Sequence, residues 1–156
     1  MEQTTASASA KDWWNEAAYD PSLTTALWAA GKTAPLVIGR RWDLVRIDFT
    51  LATAAITQLK ARDRYIGPYL MGGAERAMWW LLPLRTGRHL AGLPGVSVCP
   101  TGAELFVPPP GKYLGERVWV MPDQGEDEVP VTLTAADDLR EALEGAVRQL
   151  GRRTPS

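Results

Sequence analysis

Residues 77–82 read AMWWLL, and no position in that run offers a polar face. The run lies within GGAERAMWWLLPL, with a Gly-Gly turn and the charged Glu75-Arg76 pair before it and Pro83 inside its end. A run this short suits a strand, and a strand apolar on both sides must be covered on both sides. The chain therefore has to supply a packing layer to each face of a sheet. Alternation sends Met78 and Trp80 to one face and Ala77, Trp79 and Leu81 to the other, so the tandem tryptophans cannot form one stacking platform.

The rest of the chain offers the layers. Short apolar stretches at 67–71, 95–98, 104–107 and 117–121 are punctuated by Gly and Pro in the manner of strands joined by turns. Pro108-Pro109-Pro110 ends one of them, because proline has no N–H to give to a ladder. APLVIGRRWDLVRIDF also has strand character, and in residues 44–49 Val45, Ile47 and Phe49 alternate with Arg46 and Asp48. Helices are expected on either side of a break at Asp20-Pro21, with Leu23, Ala26, Leu27 and Ala30 as an apolar stripe ended by Gly31. Thr50 is the expected cap of a further helix to about Arg62 carrying Leu51, Ala55 and Leu59 inward. Thr134 and Asp137 form a capping-box pattern for a last helix with an apolar stripe of Leu139, Ala142, Leu143, Ala146, Val147 and Leu150. The fold class is α+β: a mixed or mainly antiparallel sheet flanked by helices in one domain, 11–151. Residues 1–10 are expected as a disordered tail, 123–128 as an exposed acidic loop and 152–156 as a C-terminal tail.

The 156 residues are enough to bury a core without disulfides. With 17 basic and 18 acidic side chains the net charge is −1, so no global field draws polyanions. The longest apolar run is far shorter than the roughly 20 residues of a membrane helix, and MEQTTASASAKDWW lacks the order of a signal peptide. A cytoplasmic protein without membrane contact is expected. One histidine and one cysteine are too few for a structural zinc site, and no metal or cofactor is expected. Cys99 with His89 as its base has no supporting motif, and a buried inert thiol is the commoner use.

Arg46 and Asp48 stand at i and i+2 and point to one face of their strand. They form either a surface ion pair, worth about 0–1 kcal/mol, or a fixed cation beside an acid that can take a phosphate. Seven tryptophans are many for this length, and most are expected in the core or at interfaces. Trp13 and Trp14, beside the tail, dock either the N-terminal segment or a partner, and Arg40 and Arg41 extend that candidate interaction surface. Exposed tryptophans and sheet edges also make a homodimer feasible.

From Asp43 to about Pro122 the chain resembles the primase-polymerase (prim-pol) fold of the archaeo-eukaryotic primase superfamily. With the opening WWNEAAYDPSLTTALWAAG included, it is similar to the short, stand-alone actinobacterial proteins grouped with bifunctional DNA primase/polymerase domains. Catalytic members carry two aspartates separated by one residue on a strand that leads into a helix. WDLVRIDFTLATAA fills that place, with Arg46 at the first acid and Asp48 at the second. A Gly-rich turn then leads to a histidine in an apolar strand, a position held here by Met78 or a neighbour. GVSVCPTGAELFVPPP keeps the third segment's turn and prolines, with Ser97 or Val98 near its acid.

The resemblance implies a framework that has lost its two-metal clamp, since one carboxylate beside a guanidinium cannot hold the ions that stabilise attacking and leaving oxygens. It implies a residual groove bearing Arg46, Asp48, Met78, Trp80, Ser97 and Glu104. The function expected is a non-catalytic binding or interaction module, regulatory in role, with a protein partner. The alternatives are nucleotide or single-stranded nucleic-acid binding in the groove, and an enzyme of unrelated chemistry in which His89, Cys99, Asp48 and Glu104 converge in a deep pocket.

Overall fold

Asp20 accepts a hydrogen bond from the Leu23 N–H at 3.2 Å and Pro21 opens α1 (Pro21–Ala29). This chain break falls where the sequence places it, in a computed structural model that describes residues 14–123 and 131–153. The expectations for residues 1–10, Trp13, most of the acidic stretch and the last three residues lie outside the described residues. Helix α1 turns inward Thr24, Leu27 and Trp28; of the expected stripe only Leu27 is covered, and Leu23 is left 49% exposed. The reason is Trp28, whose Nε1–H donates to the Val107 carbonyl at 3.0 Å and so fixes the helix's rotation.

The following elements are β1 (Ala34–Val37), β2 (Asp43–Asp48), α2 (Phe49–Ala61), β3 (Tyr69–Gly72), β4 (Ala77–Leu82), β5 (Val96–Val98), β6 (Glu104–Val107), β7 (Arg117–Val120) and α3 (Ala136–Arg153). A 3₁₀ turn, Gly87–Leu90, precedes β5. The expected strands are all present. Two helix starts differ: Asp48, not Thr50, is the cap residue of α2, so Phe49 leaves the strand pattern and begins the helix. Thr134 does not cap α3 either. The helix's first hydrogen bond runs from Leu139 N–H to the Ala135 carbonyl, while the buried Thr134 hydroxyl accepts from Gly67 N–H at 2.8 Å. Helix α3 also continues beyond the expected domain end at 151.

Among the described residues the strands form two sheets, and every pairing is antiparallel. Five strands are ordered β5-β2-β4-β3-β7, and β1 and β6 make a separate pair. The all-apolar strand is therefore central, with all of its residues buried. On one face Val45, Ile47, Met78, Trp80 and Leu82 pack under α2 and α3, which contribute Leu51, Ala55, Leu59, Leu139 and Leu143. On the other, Leu44, Leu70, Trp79, Leu81 and Trp119 pack against Leu36 of β1, Leu105 and Val107 of β6, and Trp14. The layers are helix, sheet, sheet. Each fully buried aliphatic or aromatic side chain contributes about 1.5–3 kcal/mol, so neither face can be left open.

Side chains join the second layer to the first. Trp119 Nε1–H donates to the Pro108 carbonyl at 3.0 Å, and the Arg117 guanidinium donates to the Phe106 carbonyl. By contrast, the buried Nε1–H of Trp80 has no acceptor among the described residues. Two outcomes follow. Trp119→Phe should destabilise the fold by about 1 kcal/mol more than Trp80→Phe, because only the former loses a made hydrogen bond. The comparison is read from urea midpoints of the two variants. Gly67→Ala should cost about 3 kcal/mol, the upper end for overpacking. A Cβ there would lie 2.6 Å from Thr134 N and 2.7 Å from the Thr132 carbonyl oxygen, which are main-chain atoms that cannot swing aside. A thermal midpoint within a degree or so of the parent would refute it.

Candidate ligand-binding face

Strand register decides what Arg46 meets. In the β2–β4 pair Arg46 is opposite Trp79, and in β2–β5 it is opposite Ser97. Directly opposed residues share a face, so Ser97, Arg46 and Trp79 form one row across the sheet. The row continues to Leu70 and Trp119, at which point the small sheet covers it. Arg46, Asp48 and Ser97 remain exposed as a ledge beside that cover.

Trp79 is the floor of the ledge. The Arg46 Cζ stands 5.7 Å from its ring centroid and the Arg117 Cζ 4.8 Å, both within cation–π reach. Arg117 is held by Glu75 at 3.3 Å, and Arg46 Nη2 donates to the Glu75 carbonyl at 3.5 Å. Gly72 makes room for the ring: a Cβ there would lie 2.5 Å from Trp79 Cζ3 and 2.6 Å from Glu75 Oε1. Sequence alternation missed Glu75, Trp79 and Arg117. Their only signal was the Glu75-Arg76 pair after the Gly-Gly turn, since the β3–β7 pairing that brings in Arg117 has no local trace.

Met78 and Trp80 do not belong to this face. They oppose Ile47 and Val45 and lie buried under the helices, where Trp80 stacks on Tyr69 with centroids 4.5 Å apart. The expected groove of Arg46, Asp48, Met78 and Trp80 is thus split between opposite sides of the sheet. Glu104 is also apart, on the side of β6 opposite Leu105 and Val107. Of the two readings of Arg46 and Asp48, the surface ion pair does not form; among the described residues neither has a salt-bridge partner. The Asp48 carboxylate instead leans toward β5, where a Cβ on Gly95 would lie 3.3 Å from its Oδ2.

Of the second candidate surface, Trp14 is folded into the chain, while Arg40 and Arg41 stay exposed. Trp14 is buried against Trp119, centroids 4.5 Å apart, so it docks its own N-terminal segment. Arg40 donates to the Glu16 carbonyl at 3.2 Å and Arg41 pairs with the Glu16 carboxylate at 3.6 Å, which ties both to the same segment. The enzyme constellation does not assemble. His89 pairs with Asp137 at the start of α3 on the helical side, whereas Cys99 packs against the core on the other side. Among the described residues no three or more His, Cys, Asp or Glu side chains are grouped to hold a metal ion, and no helix is long and apolar enough to cross a membrane.

Cys99 reports on the ledge from beneath. Burial pushes its thiol above the ordinary value, and the Arg46 guanidinium and main chain pull it partly back. The midpoint of a pH–alkylation profile with iodoacetamide should lie above that of the unfolded chain. In Arg46→Ala it should rise further, because the cation that favours the thiolate is gone. A midpoint that falls in that variant would place the guanidinium elsewhere. Comparison of the chain with protein-family models, with curated proteins and with solved structures finds no match.

Proposed function

We propose that the chain is a non-catalytic, prim-pol-like binding module whose ledge of Arg46, Asp48 and Ser97 over Trp79 engages a protein partner in a regulatory role. The observation that carries this reading is the state of Arg46. It occupies the position at which the resemblance would place the first metal-binding carboxylate, exposed, propped on an aromatic floor and without a carboxylate partner among the described residues. A guanidinium there repels a divalent ion from Asp48, while it offers a planar fork to a carboxylate or phosphate. The near-zero net charge supports a protein partner over a polyanion. A cytoplasmic location fits this reading.

Nucleotide or single-stranded nucleic-acid binding at the same ledge is the second reading, favoured by an exposed Arg46 guanidinium that has no carboxylate partner among the described residues and can fork onto a phosphate. One set of measurements separates the three cases. Incubation with Mg²⁺ or Mn²⁺, primed template and nucleotides should yield no extension; metal-dependent extension lost in Asp48→Ala would overturn the non-catalytic reading. Fluorescence anisotropy with labelled single-stranded DNA should show no saturable binding. Salt-sensitive binding that weakens in Arg46→Ala would move the assignment to nucleic acid.

A further inference from the structure

The helical side of the molecule carries a groove of a different character, on the face of the sheet opposite the ledge. Where α2 and α3 cross, a cleft of about 410 Å³ is lined by Gln58, Arg62, Gly145 and Arg148. A second cleft, of about 340 Å³, is lined by Phe49, Thr53, Ala54 and Leu150. Thr57 and Gln149 line both, so the two clefts lie side by side. One end is cationic and amide-lined; the other is predominantly apolar. Among the described residues, no Asp or Glu lines either cleft.

Gly145 is the telling residue. A glycine inside a helix costs about 1 kcal/mol relative to alanine, so its presence needs a cause. A Cβ at 145 would lie 2.9 Å from Gln58 Oε1 and 3.1 Å from Arg62 Nη2. Both are the ends of flexible side chains, which could swing out, so close approach of the helices does not require the glycine. What the glycine preserves is the placement of these two polar ends over the cleft floor. Gln58 is held there by Gln149 at 3.1 Å.

The charge is only partly neutralised. Arg62 is bonded to Glu141 at the rim, whereas Arg148 has no ion pair among the described residues. Among the described residues about one positive charge is left uncompensated, which suits a monoanion better than a dianion. We propose that the α2–α3 groove binds a small amphipathic carboxylate, with its head between Arg62 and Arg148 and its apolar chain laid over Ala54, Leu150 and Phe49.

The test is an amide-resolved NMR titration of the full chain with decanoate below its micellar range. Saturable shifts are expected at Thr57, Gly145 and Gln149. Arg148→Gln, an exposed substitution, should weaken the affinity about tenfold, as expected for loss of one charge-assisted contact. Arg88→Gln, at an exposed arginine in the turn before β5, should leave it unchanged. Acetate, which lacks the chain, and decanol, which lacks the charge, should each fail to saturate over the same range. The proposal falls if decanoate does not saturate, if its shifts lie outside the groove, if Arg88→Gln weakens binding equally, or if acetate or decanol matches decanoate.

Discussion

Both faces of β4 are dry, and the remainder of the architecture answers that constraint. Met78 and Trp80 need a roof on one side, supplied by α2 and α3. Trp79 and Leu81 need one on the other, supplied by β1, β6 and the N-terminal segment through Trp14. Removing either roof would expose large apolar side chains in the middle of a sheet, at about 25 cal/mol for each Å² returned to water. The central strand thus dictates three layers, and its neighbours inherit the alternation.

The two roofs are attached differently. The helices pack by apolar stripes and by polar contacts, such as Gln58 with Gln149 between them and Arg64, just after α2, with Asp138 of α3. The small sheet is fastened by donors: Trp28 from α1, and Arg117 and Trp119 from β7, reach main-chain carbonyls of β6 or the proline run after it. This leaves fewer unpaired carbonyls there for another chain to use. It also places Arg117 beside Trp79, so the same fastening builds the floor of the ledge. Stability and the candidate site share residues, and the exposed Arg46 is the member that bears least on the core.

Much of the architecture was legible locally. The apolar run, the Pro and Gly punctuation and the stripes of α2 and α3 all report side-chain periodicity, which is a property of one element at a time. The failures share a cause as well. Thr134 carries the signature of a helix cap, yet its hydroxyl goes to Gly67, a partner far away in the chain. Leu23 lies on the helical stripe, yet an indole–carbonyl bond to β6 turns α1 away from it.

The candidate site shows the same division more sharply. By itself, the sequence determined that Arg46 and Asp48 share a face, that Met78 and Trp80 share a face, and that β4 is covered on both. Whether those two pairs lie together was decided only by the β2–β4 register, in which Arg46 meets Trp79 and Ile47 meets Met78. Because side chains alternate with a period of two, a shift of one residue in that pairing would have exchanged the faces. Alternation is intrinsic to a strand, whereas register is a relation between strands, selected by how well both faces are buried at once.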